Sequence, residues 1–335
     1  MHRRRHLVLG SAAAFGAAAA PATLSRPAIA QGAAGNWPNQ PVRLIVPFAA
    51  GGPTDVPARL IADELSKILP QRVVVENRTG SGVVIGTEAV AKAPKDGYTV
   101  LYTTIAHSVL PALFPRLSFN PVADFTPVVL VGQIPMILMV NKDLPAQTLP
   151  DLIRLFRENP GKYDYASSGN GGAVHLATEL FLRQAGGLRV NHIPYRGSAA
   201  AMPDVLNGRV PMIVDVAASA LPFVQRGELR GLAISTRERA SFAPDIPTFI
   251  EGGVPGYEAY TWHMMLVPAG TPQPVVQALN AAVNRVLQQE PIRRRLTELT
   301  MQLASDTTPE GAARWMRSEM DKWGAIIREA GITVN

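Results

Sequence analysis

From Val42 onward the chain alternates short apolar runs with amphipathic segments, and from Pro150 the alternation begins a second time. In the first round, residues 42–46 read as a buried strand. Residues 55–69 read as a helix with Val56, Leu60, Ile61, Leu65 and Ile68 on one face. Residues 73–76 form a second strand, 85–93 a helix closed by Pro94, and 98–103 a third strand. Residues 128–131 and 137–140 read as two further strands. In the second round, helices are predicted over 150–158, 174–184, 199–206 and 220–225. Strands are predicted over 163–166, 190–194, 212–216 and 229–235. Strands separated by helical patterns of this length imply an α/β fold, with parallel sheets covered by helices on both faces. The C-terminal part reads as helical. Thr271 and Pro272 open one helix, and Thr307 with Glu310 form a capping-box pair around Pro309 for the last. Trp315, Met316, Met320, Trp323, Ile326 and Ile327 recur there at helical spacing and read as core, with Gly331 suited to the C′ position.

The 335 residues suffice for two domains. Not all belong to the fold. Met1 to His6 is basic, residues 7–24 are weakly apolar and rich in alanine and glycine, and Ala28-Ile29-Ala30 is a small-x-small cleavage pattern. Together they read as an export signal over 1–30, cut near Ala30-Gln31, with no stable membrane insertion afterwards. Arg4-Arg5 followed by His6-Leu7-Val8 resembles the twin-arginine motif, and an ordinary secretory signal is the alternative. Either route predicts a periplasmic product. Formal charge is +6, but four arginines leave with the signal, so 28 Lys+Arg face 26 Asp+Glu in the remainder. No long basic run remains, which argues against a nucleic-acid partner. With no cysteine, disulfides, thiolate metal sites and cysteine nucleophiles are excluded.

Ligands of open α/β sheets bind outside the carboxyl ends of the strands, so the strand-to-helix turns hold the candidate site. The first, Pro47 to Asp55, carries Gly51-Gly52 ahead of a helix. Its N–H groups and the helix N-terminus favour an anion such as a carboxylate; a plain turn with Thr54 or Asp55 as N-cap is the alternative. The turn Ala166 to Ala173 is its counterpart in the second round, rich in glycine and short hydroxyls, and opens the helix with His175. A third glycine-rich turn, Arg78 to Gly86, mimics a dinucleotide fingerprint. It follows the wrong strand and lacks the acidic partner, so no nicotinamide cofactor is expected. No G-x-S-x-G elbow or phosphate loop occurs, and the histidines at 107, 175, 192 and 263 lack metal-ligand spacing. Each reads best as a structural histidine, with His107 and His175 nearest the turns. No cofactor, metal or catalytic residue is expected.

These residues carry a resemblance. Pro41 to Phe48 with Gly51-Gly52-x-Thr54-Asp55 resembles the opening of the substrate-binding receptors of tripartite tricarboxylate transporters, the Bug receptors. So do Val75-Glu76-Asn77-Arg78, Pro94-x-Asp96-Gly97-Tyr98-Thr99, Tyr165-Ala166-Ser167 with Gly169-Asn170-Gly171, Pro194-Tyr195-x-Gly197-Ser198 and Pro268-Ala269-Gly270-Thr271-Pro272. The likeness spans nearly the whole mature chain. It implies a two-lobed Venus-flytrap of the type II periplasmic binding protein fold, with lobe 1 over 36–137 plus 262–335 and lobe 2 over 138–261. It implies a monomer that holds a small organic acid through backbone groups of both lobes and delivers it to integral membrane transporter subunits. Carried over, Phe48, Ala49, Gly51, Gly52, Thr54, Asp55 and His107 would serve from the first lobe. Ser168, Gly169, Asn170, Gly171, Tyr195, Gly197 and Asp215 would serve from the second.

Three departures bear on the ligand. Thr104-Ile105-Ala106 replaces a more polar stretch after the third strand, Gly172-Ala173 stands where hydroxyl residues are common, and Arg196 replaces a frequent lysine. The first two predict a monocarboxylate or a less polar organic acid. Two rivals remain at this stage: a receptor presenting ligand to a sensor kinase, and an exported hydrolase using Ser168 or His175.

Overall fold

The computed structural model describes residues 36–334; the export segment and its cleavage point lie outside the described residues. The first round is β1 (Val42–Val46), α1 (Asp55–Ile68), β2 (Val73–Asn77), α2 (Val84–Ala91), β3 (Thr99–Thr103), α3 (Ala106–Leu113) and β4 (Phe125–Asn141). The second is α4 (Leu149–Glu158), β5 (Asp164–Ser167), α5 (Ala173–Gln184), β6 (Asn191–Pro194), α6 (Ser198–Leu206), β7 (Met212–Val216), α7 (Ala217–Gln225) and β8 (Leu229–Ile234). The chain then runs back through β9 (Tyr260–Pro268) and ends in α8 (Gln273–Leu287), α9 (Glu290–Glu298), β10 (Gln302–Leu303) and α10 (Pro309–Ala330).

The expectation of parallel sheets is corrected. β2, β1 and β3 pair in parallel, as do β6, β5 and β7, but β4 and β9 pair antiparallel with their neighbours and make the sheet mixed. The reason is topological. β4 carries the chain out of the first group of strands and β9 carries it back, and two strands running in opposite directions pair antiparallel without a crossover helix.

The two strands expected at 128–131 and 137–140 are one strand of 17 residues. Gly132 and Pro135 look like breakers but are used as joints. At Gly132 a Cβ would stand 2.6 Å from the Gln302 carbonyl, so glycine lets β10 close onto the strand. Pro135 sits where pairing with β9 ends and pairing with β7 and β8 begins, a place where a missing N–H donor is tolerated. α3 and β9 fall in stretches the sequence left unassigned.

α1 turns Ala58, Ile61, Ala62 and Leu65 to the sheet and α8, while Val56, Leu60 and Ile68 lie at the margin of that face. Two alanines on the buried stripe let the helix approach closely, and each fully buried Leu or Ile contributes roughly 1.5–3 kcal/mol. α10 crosses behind the junction strands. Its Glu319, 5% exposed, accepts hydrogen bonds from the indoles of Trp262 (3.0 Å) and Trp323 (2.7 Å), and Lys322 donates to the Glu258 carbonyl (2.6 Å). The helix begins one residue later than expected: Thr308, not Thr307, caps it by accepting from the Gly311 N–H (3.0 Å). Thr307 instead offers its carbonyl to Asn280. Gly331 closes the helix at φ 63°, as its position predicted.

Candidate functional site

A cavity of about 610 Å³ lies between the two groups of parallel strands. Its wall comes from the turns after β1, β3, β5, β6 and β7, all at the carboxyl ends of their strands, and its floor from Ile134 on β4 with Thr261 and His263 on β9. Each of those turns feeds a helix, so the starts of α1, α3, α5, α6 and α7 converge here. At none of the five does the N-cap side chain accept a hydrogen bond from the first turn. α4 and α10, which begin elsewhere, are capped by Thr148 and Thr308, whereas α2, α8 and α9 also lack a side-chain cap. The starts of α1 and α3 spend their first N–H groups on Gly52, Thr104 and Ile105, so what all five starts direct at the cavity is partial positive charge, with the first-turn N–H groups of α5, α6 and α7 as the donors. Among the described residues no lysine or arginine lines it. Positive potential therefore comes from backbone, and most of the remaining surface is apolar: Phe48, Ile105, Val109, Ile134, Val174 and Leu176.

Eight of the residues singled out from the sequence meet in the wall: Phe48, Ala49, Gly52, Thr54, Ser168, Gly171, Gly197 and Asp215. The others stand behind or outside it. Gly51 donates its N–H to Asp55 Oδ2 (2.8 Å), and Asp55, 1% exposed, also accepts from Arg59 Nε and Asn77 Nδ2, both at 2.8 Å. Burial pushes this carboxyl up, but the hydrogen bonds from Arg59, Gly51 and Asn77 outweigh it and hold it below the usual carboxylate range. Asp55 therefore braces the turn from behind. His107 is turned away from the cavity: its Nε2 lies 2.8 Å from the Pro121 carbonyl and its ring meets Phe125 edge-on. Burial lowers it to about 4, so it is a neutral core imidazole at neutral pH. Gly169 and exposed Asn170 form the back of the second turn. Tyr195 spends its hydroxyl on Asp204 (2.7 Å).

Five polar wall residues escaped the sequence reading: Thr104, Ser198, Ser219, Thr261 and His263. Ser198 and Ser219 open α6 and α7, so extending the strand-to-helix rule to the turns after β6 and β7 would have found them. Thr261 and His263 lie on the strand that was not assigned. His263 Nδ1 is 2.9 Å from the Tyr102 hydroxyl, and burial lowers the ring to about 3, so it meets the cavity uncharged.

Among the described residues, Asp215 is the one acidic side chain in the wall. It is 1% exposed, with Oδ1 accepting from Ser198 Oγ (2.7 Å) and the Val216 N–H (2.8 Å), while Oδ2 has no partner. Burial outweighs its two hydrogen bonds and holds this carboxyl above the usual carboxylate range. Ser168 and His175 do not make a hydrolytic pair. His175 Nδ1 accepts the Gly171 N–H (3.0 Å), and its ring stacks on His192 at 3.8 Å instead of facing the cavity. No group of acids and histidines among the described residues could hold a metal, and no described helix is long and apolar enough to cross a membrane.

Comparison with known proteins agrees with this geometry. The profile described as tripartite tricarboxylate transporter family receptor matches residues 57–332. The protein BugT of Bordetella pertussis is 35% identical over 302 residues, covering 89% of this chain and 91% of that protein. Among solved structures, R. palustris Rpa4515 with adipate is similar with a TM-score of 0.77 and 35% identity, covering 89% of this chain and all of that one. MatC from Rhodopseudomonas palustris with bound malate gives 0.74 and 33%, covering 87% of this chain and all of that one. A sulfonate-binding protein of Methylobacillus flagellatus, 12% identical with a TM-score of 0.53, shares the fold. With a two-lobed α/β frame and a cavity between strand groups, this chain belongs to the receptor family of the tripartite tricarboxylate transporters, periplasmic solute-binding receptors rather than enzymes.

Proposed function

We propose that this protein, exported and cleaved near Ala30, captures a small organic acid as a monomer in the periplasm. It then delivers the acid to the membrane subunits of a tripartite tricarboxylate-type transporter. The observation that carries the reading is the convergence of five helix starts on one cavity in whose wall, among the described residues, there is no lysine or arginine. A carboxylate there is met by N–H groups and dipoles. The adipate and malate named for the two relatives support the acid class. The lobes divide at about 137 and 261, a boundary supported by the change of partners along β4 at Pro135–Met136 and by the start of β9 at Tyr260. The apolar lining supports a monocarboxylate or a less polar organic acid.

A thermal-shift panel tests this. A saturating acid at ~100 times its Kd stabilises by ~2.7 kcal/mol. Citrate, malate and aspartate stabilising more than apolar monocarboxylates would sink the ligand class, and no shift from any acid would sink the receptor reading. Two variants test the mode of charge recognition. Arg196→Ala, at an exposed position outside the wall, retains binding. Gly171→Val abolishes it, because φ is 69° there and a Cβ would stand 2.5 Å from Leu113 Cδ1. The unliganded melting transition of each variant shows that it folds. Uptake with and without the membrane subunits tests delivery.

A further inference from the structure

The floor of the cavity holds an imidazole whose two nitrogens have different neighbours. His263, on β9, is 1% exposed, and its Nδ1 lies 2.9 Å from the Tyr102 hydroxyl. Tyr102, on β3, is sealed from solvent, and Nδ1 is the one partner of its hydroxyl among the described residues. If Nδ1 carried the hydrogen and donated, the Tyr102 hydrogen would be left in the core without an acceptor, which is costly. Tyr102 therefore donates, Nδ1 accepts, and the neutral ring carries its hydrogen on Nε2. The two rings meet edge-on at 84°, with centroids 5.4 Å apart, which holds the imidazole plane. Nε2 has no partner among the described residues, yet it is not sealed in the core as His107 Nδ1 is. The ring lines the cavity, so this N–H opens on it. Thr261, two residues earlier on β9, also lines the floor, but a hydroxyl donates or accepts as its neighbour requires. The imidazole is different, because the chain fixes it as a donor.

We infer that His263 is a ligand-binding residue whose Nε2–H donates to an oxygen of the ligand's carboxylate, and that Tyr102 is the positioning residue that fixes this donor. The inference rests on the carboxylate-receptor reading and adds a side chain to it. The first-turn N–H groups of α5, α6 and α7 reach the cavity from the wall, and the imidazole reaches it from the floor. One carboxylate has room for both, since its two oxygens accept about four hydrogen bonds. A donor bonded to an ionised acceptor makes one of the stronger hydrogen bonds, and the apolar Ile105, Val109 and Ile134 that share the cavity lower the local dielectric. An ammonium group, which only donates, finds no acceptor in this ring.

Two measurements on the full mature protein test this. The first is the nitrogen chemical shifts of the imidazoles at neutral pH, with the signals lost in His263→Gln supplying the assignment. His263 is expected to hold its hydrogen on Nε2, and in Tyr102→Phe the two tautomers should mix. A hydrogen on Nδ1 in the unaltered protein overturns the inference. The second is calorimetry at neutral pH with hexanoate, benzoate and adipate. His263→Phe, which keeps a ring and removes the N–H, is expected to weaken each of these acids by about 10- to 100-fold. His263→Gln, whose amide can place an N–H near the position of Nε2, should stay within about 5-fold of the unaltered protein. Unchanged affinities in His263→Phe overturn the inference and leave the carboxylate-receptor reading intact. So does a loss confined to adipate, which would give the N–H to a second acceptor, and so do equal losses in both variants, which would make the ring a packing element. Silence from every acid in the unaltered protein overturns that reading and this inference with it. Where His263→Phe does not fold, the unaltered protein decides: a saturating acid is expected to shift the His263 Nε2 resonance, and an unmoved resonance overturns the inference.

Discussion

The turn after β1 and the turn after β5 rim the same cavity with glycine-rich backbone, yet a carboxylate stands behind the first and a pair of imidazoles behind the second. The local plan is shared. Gly51, at φ 76°, donates to the side chain four residues on, Asp55; Gly171, at φ 69°, donates to the side chain four residues on, His175. The surroundings differ. Asp55 is charged and tied to Arg59 and Asn77, and Asn77 also holds the Phe48 carbonyl (2.9 Å). His175 is neutral and stacked on His192, whose Nε2 lies 2.6 Å from Ser167 Oγ; that hydroxyl accepts from the Gly169 N–H (3.1 Å). A fixed charge and an uncharged ring can therefore brace the same glycine geometry. The difference is what each brace does when protons arrive or when its partner is removed.

The largest effect is expected where the brace is a buried charge. Asp55→Ala strips the acceptor from the Gly51 N–H and from Asn77 Nδ2 in one step, and releases the Phe48 end of the turn. A loss of about 2–4 kcal/mol in denaturant unfolding is expected, with ligand binding lost alongside. A loss under about 1 kcal/mol would show that the first turn holds its shape without its carboxylate, and the contrast with the second turn would fail.

Acid separates the two turns next. Burial, with His192 beside it, lowers His175 to about 3, against ~6.5 in an unfolded chain. The folded state resists the proton that the unfolded state accepts, so the contribution is complete above ~6.5 and is lost as pH falls towards about 3. The slope is up to about 1.4 kcal/mol per pH unit. Glu179, with Oε1 3.9 Å from His175 Nε2, moderates that loss. Asp55, held below its ordinary value of 3.8, keeps its contribution through the upper part of this window and begins to lose it only as pH falls to about that value and below. His107 and His263 are lowered to about 4 and about 3 by burial and add slopes of the same sign, so the readout is a difference. His175→Gln, whose amide oxygen still accepts from Gly171, should flatten the profile of stability against pH relative to the unaltered protein. Equal slopes in both proteins would remove the imidazole from the account.

Both turns were legible in the sequence for a local reason: paired glycines ahead of an amphipathic helix need no distant partner to be recognised. The same holds for α1, α5, α8 and α10, whose apolar faces repeat at helical spacing. What escaped depends on pairing across the chain. β9 is flanked by β3 and by β4, both far away in sequence, and its buried residues give no amphipathic signal. β4 looked like two strands because Gly132 and Pro135 are breakers everywhere except at a joint between partners. His107 sits beside a cavity turn in sequence, but the start of α3 rotates its ring onto the Pro121 carbonyl. Asp215 was recognised through the family resemblance; its unpartnered oxygen depends on Ser198, 17 residues away on another helix, which no local pattern shows.

The smallest effect sharpens what "charged brace" means for the first turn. Arg59 meets Asp55 in an ion pair at 2.8 Å, and its side chain is 47% exposed while that of Asp55 is 1% exposed. Water can replace the guanidinium at little cost, while the Gly51 N–H still holds Asp55 Oδ2 and the Asn77 amide still holds Oδ1. Exposed pairs of this kind contribute about 0.2–1 kcal/mol. Arg59→Gln should therefore cost less than about 1 kcal/mol, leave ligand affinity nearly unchanged, and narrow its gap from the unaltered protein as salt is added. If Arg59→Gln instead costs as much as Asp55→Ala, the ion pair and not the pair of amides holds the turn. The first rim would then be the salt-sensitive one, and the contrast with the neutral second rim would rest on screening as well as on protons.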